Sequence, residues 1–343
     1  MNYTFFTNSE KAWKAMFEAI SNAKESIYLE MYIFQTDIKK FDFYSLLKEK
    51  STHGLKVKLI LDSFGSITLS KNEIYQLRES GIELLFHSHL FHRGHRKVLI
   101  TDESTAFIGG VNFHQIAQLW RDLVIMVKGS LVKKILRSFI QSYVDAGGTD
   151  SSLITKEFSS PLGKVSAWII DHSPVKNIFS LKKIYKKHLY EAQERIILIT
   201  PYFAPKLWLA RALHQAVLRG VSVQVLVPRH TDHFLSDRVN YFYMSKLAKL
   251  GITFYLQSKM NHGKAMVIDQ DQAMLGSQNL DFLSFDFNSE TGIFFRDTAV
   301  VTKLVEITNV WKQDAIVFDS LIYKPKWFDY ILSPIIKLFY KIM

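Results

Sequence analysis

Histidine, lysine and aspartate occur at one spacing in two places along the chain. Residues 95–102 (HRKVLITD) and 262–269 (HGKAMVID) both read His-x-Lys followed by four residues and an aspartate. Side chains alternate between the two faces of an extended segment, so each histidine and its lysine can address one ligand. An imidazole can attack or protonate, and an ammonium group can neutralise an anion. This combination indicates chemistry on a phosphodiester.

The two copies are in register with each other. The motif histidines lie 262 − 95 = 167 positions apart, and this offset also relates the small and amide residues that follow each motif. These pairs are Gly109 with Gly276, Gly110 with Ser277, and Asn112 with Asn279. A repeat of this kind without a gap predicts an internal duplication.

The residue types suggest a division of labour at one phosphodiester. One histidine attacks phosphorus and the other protonates the leaving oxygen, while the lysines neutralise the transition state. We expect neither a metal nor a cofactor, because side chains supply the positive charge and the histidines are not free to act as ligands. Asp102 and Asp269 are interpreted as structural members of the motif that hold the turn after each strand. The catalytic set is His95, Lys97, Asp102, His262, Lys264 and Asp269.

Small residues and amides after each motif are candidates for binding the phosphate. Gly110 and Ser277 would let the backbone approach a phosphate closely. Asn112 and Asn279 offer amide donors to its oxygens. These residues are therefore predicted to bind the phosphate.

The pattern of apolar runs predicts an α/β fold in two similar halves. Runs rich in β-formers at 26–34 and 195–203 are each followed by a helix-like stretch and a glycine-led strand. Strand, helix and strand in this order indicate a βαβ unit with a right-handed crossover. Each half is therefore expected to be a mixed, mostly parallel sheet flanked by helices.

Turn-forming residues between 145 and 163 mark the predicted boundary. The first half, 1–150, carries the first motif, and the second half, 164–320, carries the second. Residues 321–343 mix lysines with aromatic and aliphatic residues. This tail is predicted to be amphipathic and to contact a membrane surface.

Composition limits the classes of protein that are possible. The 343 residues are 48% hydrophobic, which excludes a disordered chain, and contain no cysteine, which excludes disulfides and thiolate catalysis. The net charge of +11 favours anionic lipid or nucleic acid as a partner. We see no signal peptide and no apolar stretch long enough to span a bilayer, so any membrane contact is expected to be peripheral.

From about Glu25 to Phe318 the chain resembles the HxKx4D phospholipase D superfamily, and within it the bacterial cardiolipin synthases. The phrases that carry the resemblance are 93–97 with 109–112, 120–122, 200–205 and 275–281. The resemblance implies one site at a pseudo-twofold interface and a covalent phosphohistidine intermediate. It also implies that His95 is the nucleophile and His262 the acid.

Two acidic residues follow the histidines at nearly equal distances, since 122 − 95 = 27 and 290 − 262 = 28. In the superfamily, acids at about this place hydrogen-bond a catalytic histidine and fix its tautomer. The resemblance therefore implies an orienting role for Asp122 and Glu290. It also places a substrate-facing loop at 229–238.

The resemblance implies a phosphatidyltransferase that joins two phosphatidylglycerols into cardiolipin and releases glycerol. Many cardiolipin synthases begin with transmembrane helices, whereas this sequence starts at the catalytic unit and resembles the shorter forms. We therefore expect a cytoplasmic protein bound peripherally to the inner face of the cell membrane. The alternatives are a phospholipase D that uses water as acceptor, a nuclease of the superfamily, and a catalytically silent binding module. Intact paired motifs disfavour the silent module, and the family-specific phrases disfavour nucleic acid as the partner.

Overall fold

A computed structural model describes residues 2–87, 92–158 and 166–320 of the chain. The predicted tail at 321–343 and residues 159–165 of the predicted boundary lie outside the described residues. Within the described ranges the chain forms two mixed β-sheets, each covered by helices. The predicted architecture of two similar sheet-and-helix halves is confirmed.

The first sheet has the strand order β1-β7-β6-β5-β2-β3-β4. Its strands are β1 (Asn2–Asn8), β2 (Ser26–Met31), β3 (Lys56–Asp62), β4 (Glu83–His87), β5 (Val98–Thr101), β6 (Thr105–Gly109) and β7 (Arg121–Lys128). The helices of this half are α1 (Ser9–Asn22), α2 (Phe43–Thr52), α3 (Lys71–Glu79), α4 (Ser130–Asp145) and α5 (Ser151–Ile154), with a 3-10 helix at Gln115–Leu119.

The second sheet has the order β15-β11-β10-β9-β12-β13-β14-β8, so β9 to β14 repeat the arrangement of β2 to β7. Its strands are β8 (Ala167–His172), β9 (Arg195–Ile199), β10 (Ser222–Pro228), β11 (Thr253–Gln257), β12 (Ala265–Ile268), β13 (Gln272–Gly276), β14 (Glu290–Arg296) and β15 (Ala315–Val317). The helices are α6 (Ser180–Glu191), α7 (Leu207–Leu218), α8 (Phe234–Leu247), α9 (Phe282–Asp286) and α10 (Thr298–Lys312), with 3-10 helices at Pro174–Lys176 and Ala248–Leu250.

The expectation of mostly parallel sheets is wrong. Strands β2, β3 and β4 pair in parallel, as do β9, β10 and β11, whereas the other pairings between described strands are antiparallel. Parallel neighbours need a crossover helix, and α2, α3, α7 and α8 provide it. Short turns join β5 to β6 and β12 to β13, and a short turn produces an antiparallel hairpin.

The buried core is arranged in layers that hold the two sheets together. One cluster joins inner-face residues of both sheets, such as Ile100 and Val267, with apolar residues of α4 and α10. Separate clusters lie under α1 and α2 on the outer face of the first sheet and under α6 and α7 on the second. The shared central layer fixes the two halves relative to each other. None of the described helices is both long and apolar enough to cross a membrane.

Candidate active site

The two motifs meet at one cavity of about 580 Å3 that is lined by residues from both halves. His95 and His262 both line it. Each lies three residues before a strand, β5 or β12, which is formed by the four residues between the lysine and the aspartate of its motif. The cavity lies where β2, β3, β9 and β10 end, the edge at which α/β sheets usually bind ligands.

Backbone hydrogen bonds tie each histidine to the opposite half. The amide of His95 donates to the carbonyl of Ser289 at 2.9 Å, and the amide of His262 donates to the carbonyl of Arg121 at 2.7 Å. Ser289 and Arg121 each directly precede one of the predicted orienting acids. This exchange places each acid beside the histidine of the other half.

Each histidine is hydrogen-bonded by a carboxylate from the other half. Nδ1 of His95 lies 3.0 Å from both carboxylate oxygens of Glu290, and Nδ1 of His262 lies 3.1 Å from Oδ2 of Asp122. A carboxylate can only accept, so Nδ1 must carry the proton in both rings. Nε2 is then the nitrogen that each ring has available for chemistry.

Further donors fix the two carboxylates in place. Ser277 and Ser284 donate their hydroxyls to Glu290, the second at 2.7 Å. The amide of Leu123 donates to Oδ1 of Asp122 at 2.7 Å. Burial alone would raise the pKa of Glu290, but His95 and the other neighbouring donors hold that pKa at about 2. The carboxylate of Glu290 is therefore ionised at neutral pH.

Burial keeps both imidazoles neutral in the free site. It lowers the pKa of His95 to about 4, although the charge of Glu290 opposes the change. Burial and the nearby charge of Lys264 also lower the pKa of His262. A neutral His95 has a lone pair on Nε2, as a nucleophile requires. An anionic ligand in the cavity would raise both pKa values by favouring the charged rings.

The two motif lysines are buried, each two residues after its histidine in the chain, and neither is among the residues that line the cavity. Nζ of Lys97 donates to the carbonyl of His95 at 2.6 Å, and Nζ of Lys264 donates to the carbonyl of His262 at 2.5 Å. Burial lowers the pKa of Lys97 to about 7, with a contribution from the charge of Lys264, and lowers that of Lys264 to about 8. Two cations that disfavour each other in this way would be stabilised by a phosphate anion.

The motif aspartates lie at the far ends of β5 and β12. Asp102 and Asp269 adopt left-handed backbone angles, with φ of 49° and 50°. The carboxylate of Asp102 accepts from the amides of residues 24–26 at 2.8 to 3.1 Å, and Asp269 does the same with residues 193–195 at 2.8 to 3.2 Å. Both therefore fasten the turn after the motif strand to the start of a neighbouring strand. Neither lines the cavity.

Two of the four predicted phosphate contacts have other partners in the structure. The amide of Gly110 donates to the carbonyl of Leu123 at 3.1 Å, and the amide of Ser277 donates to the carbonyl of Thr291 at 3.0 Å. These bonds extend the pairing of adjacent strands and leave no amide for a phosphate. Gly110 and Ser277 lie behind the cavity, whereas Asn112 and Asn279 line it.

Gly110 packs so closely against its neighbours that there is no space for a side chain. A Cβ atom at this position would lie 2.3 Å from Oδ1 of Asp122 and 2.8 Å from the carbonyl oxygen of His262. We expect Gly110→Ala to displace this pair, with a destabilisation of about 1–3 kcal/mol and a rate loss of about 10²-fold. Thermal unfolding and initial rates measure the two effects. Wild-type values in both would show that the pair tolerates displacement.

Aromatic rings enclose the two histidines, and the sequence reasoning did not find them. The ring of Tyr32 lies edge-on to His95 with centroids 4.9 Å apart, and the ring of Trp120 lies 5.7 Å from that of His262. The Tyr202 ring lies 6.5 Å from His262. These rings exclude water from the imidazoles, which is consistent with the lowered histidine pKa values.

His114 and Asp281 also line the cavity and were not predicted as site residues. The repeat itself carried a signal, since 281 − 114 = 167 is the offset of the motifs. Burial raises the pKa of Asp281 to about 7. Oδ1 of Asp281 also accepts from the amide of Ser284 at 2.8 Å, so this residue caps α9. The two halves thus present different polar groups at equivalent positions.

Arg96, the residue between the histidine and the lysine of the first motif, joins the two sheets on the side away from the cavity. Its guanidinium donates to Glu30 of β2 at 2.8 Å and to Asp171 of β8 at 2.7 Å. It also donates to the hydroxyl of Ser138 in α4 at 2.8 Å. Side chains alternate between the two faces of an extended segment, and Arg96 lies between His95 and Lys97. Its side chain therefore points away from theirs.

Part of the loop expected at 229–238 lines the cavity, although residues 234–238 form the start of α8. Thr231, Asp232 and His233 are lining residues from this segment. Ile116 and Trp120 line it from the first half. The cavity is therefore enclosed by loops of both halves as well as by the motif strands.

These features define a class of protein. Two HxKx4D motifs on a duplicated fold, each histidine oriented by an acid and both facing one cavity, form the paired-motif arrangement of the phospholipase D superfamily. The family described as "Cardiolipin synthase, PLD-like domain" matches the chain at residues 16–143 and 185–311. The chain belongs to this family.

Curated relatives agree with this family membership. The chain is 30% identical to "Major cardiolipin synthase ClsA" of Bacillus subtilis over 96% of its own length and 74% of the relative. It is 28% identical to "Probable cardiolipin synthase YwiE" of the same organism, over 88% of its own length. The chain spans 64% of the length of that second relative.

Two solved structures share the fold. Phosphatidylserine synthase of Haemophilus influenzae superposes with a TM-score of 0.75 at 16% identity, over 99% of this chain and 93% of that one. Polyphosphate kinase of Porphyromonas gingivalis gives a TM-score of 0.64 at 14% identity, over 100% of this chain and 54% of that one. At these identities the likeness concerns the fold alone.

Proposed function

We propose that the chain is a phosphatidyltransferase that makes cardiolipin and glycerol from two phosphatidylglycerols. The observation that carries this proposal is the pair of cavity-lining histidines, each held by a carboxylate from the other half. Membership of the cardiolipin synthase family and the names of the curated relatives support the choice of lipid.

In the first step, Nε2 of His95 attacks the phosphorus of a bound phosphatidylglycerol. The bond between phosphorus and the headgroup glycerol oxygen breaks as the bond from nitrogen to phosphorus forms. His262, made cationic by the anionic substrate, gives its Nε2 proton to the departing glycerol oxygen. Lys97 and Lys264 stabilise the charge on the phosphoryl oxygens, and Asn112 and Asn279 donate to them. Glycerol leaves, and the phosphatidyl group remains on His95.

In the second step, a headgroup hydroxyl of another phosphatidylglycerol attacks the same phosphorus. Neutral His262 accepts the hydroxyl proton as the new oxygen–phosphorus bond forms and the bond to His95 breaks. Both histidines return to their starting states, and cardiolipin is released. Because Glu290 and Asp122 hold the two rings, His262 can take back a proton and His95 can release the phosphatidyl group without either ring reorienting.

We also propose that the protein acts at the inner face of the cell membrane as a peripherally bound enzyme. Phosphatidylglycerol is a membrane lipid, and a basic protein is attracted to an anionic leaflet. A site facing the lipid surface favours a lipid hydroxyl over water by proximity. Transfer to a second lipid is therefore expected to exceed hydrolysis.

Product analysis of the purified protein tests this proposal. Given phosphatidylglycerol alone in mixed micelles, the protein should form cardiolipin and free glycerol, and added glycerol should reverse the reaction. Lipid extracts separated by mass spectrometry would identify the products.

Two other outcomes would replace the proposed function. Phosphatidic acid as the sole lipid product would make the protein a phospholipase D hydrolase. Cleavage of DNA that requires both His95 and His262, without any lipid product, would make it a nuclease.

A further inference from the structure

Exposed apolar residues lie among the residues that line the cavity or directly beside them in the chain. Ile116 lines the cavity and is 66% exposed, so the cavity reaches solvent beside it. Leu119, on the same 3-10 helix, is 80% exposed and directly precedes the lining residue Trp120. Large apolar side chains in water are unfavourable unless another surface covers them.

The second half also has exposed apolar residues next to a lining residue. Phe234 is 76% exposed and directly follows the lining residue His233, and Leu235 beside it is also exposed. Phe64, a lining residue of the first half, is exposed as well, and the guanidinium of Arg93 stacks 4.3 Å from its ring centroid. Exposed apolar residues of both halves thus lie in or next to the segments that line one cavity. We call Phe64, Ile116, Leu119, Phe234 and Leu235 the rim.

We propose that the rim docks onto the surface of an anionic phospholipid bilayer. The inference rests on the proposed function, because a surface that covers the opening must also supply the substrate. A protein bound there would close the cavity, whereas a bilayer presents headgroups to it and keeps the acyl chains in the lipid. The rim side chains then enter the interfacial region.

Charge favours the same partner. The chain carries a net charge of +11, and Arg93 lies at the rim itself. Cations beside apolar anchors are typical of surfaces that bind anionic leaflets. No rim residue belongs to the predicted tail at 321–343.

The opposite end of the second sheet provides a matched control. Leu218 and Leu250 precede the parallel strands β10 and β11, whereas Phe234 follows β10. Leu218 and Leu250 therefore lie at the edge of the sheet away from the cavity. Leu218 is 65% exposed and Leu250 is 39% exposed, so they offer similar residues in the same protein.

Flotation with vesicles of phosphatidylcholine and phosphatidylglycerol tests the proposal in the full chain. The double variant Leu119→Ser with Phe234→Ser should bind vesicles at least about tenfold more weakly. The control Leu218→Ser with Leu250→Ser should bind within about twofold of the wild type. Neither rim residue chosen lines the cavity, so turnover of a water-soluble short-chain phosphatidylglycerol should be unchanged in both variants.

The outcomes separate this inference from the proposed function. Equal vesicle binding by the rim and control variants would overturn the docking surface even if cardiolipin is made. Weaker binding by the rim variant alone would support the surface even if the wild type makes another product. A rim variant that alters self-association but not vesicle binding would show that the rim contacts a second copy of the chain.

Discussion

Replacement of either His95 or His262 by alanine is expected to lower turnover by at least about a thousandfold. Both rings line one cavity. The proposed reaction needs one ring as nucleophile and the other to donate a proton in the first step and accept one in the second. Loss of either leaves the other without a partner, so the two effects should not add in the double variant. Initial rates of cardiolipin formation measure the loss.

An exposed histidine serves as the control for this experiment. His53 lies at the end of α2, and His53→Ala should keep wild-type activity. Phosphoenzyme trapped with labelled lipid should carry the label on His95 alone. Label on His262 would reverse the two roles, and wild-type rates in either alanine variant would rule out the two-histidine mechanism.

The Glu290→Gln variant is expected to fold but to lose about 10²- to 10⁴-fold in rate. The carboxylate accepts from Nδ1 of His95 at 3.0 Å, and its negative charge raises the pKa of that ring against the effect of burial. A neutral amide removes this charge, so the pKa of His95 should fall further below about 4. The amide can also donate to Nδ1 and thereby select the other tautomer.

The matched variant is Asp122→Asn. The two variants together test whether each carboxylate contacts the histidine of the other half. Histidine ring nitrogen signals measured by NMR should change at His95 in Glu290→Gln and at His262 in Asp122→Asn. Changes at the histidine of the same half would contradict the structure. Unchanged rates in both variants would show that neither carboxylate orients a catalytic ring.

Much of the fold was predictable because its signals are local. The predicted run at 26–34 contains β2, and the glycine-led strand predicted after it corresponds to β3, since apolar runs with leading glycines mark buried strands. The fixed offset between the motifs indicated the duplication without any structure. The sequence did not predict that most strand pairs are antiparallel, because the direction of a pair depends on which strands become neighbours in the folded sheet.

The sequence by itself determined which side chains are available: two histidines, two lysines and two acids at equivalent places in a repeat. Spacings of 27 and 28 residues did not show which acid meets which histidine. Only the tertiary structure decided that Glu290 holds His95 and Asp122 holds His262. The physical reason is that packing of the two halves around a shared core brings each motif against the opposite acid-bearing strand. Contacts between residues 140 and 195 positions apart leave no periodic signal in the chain.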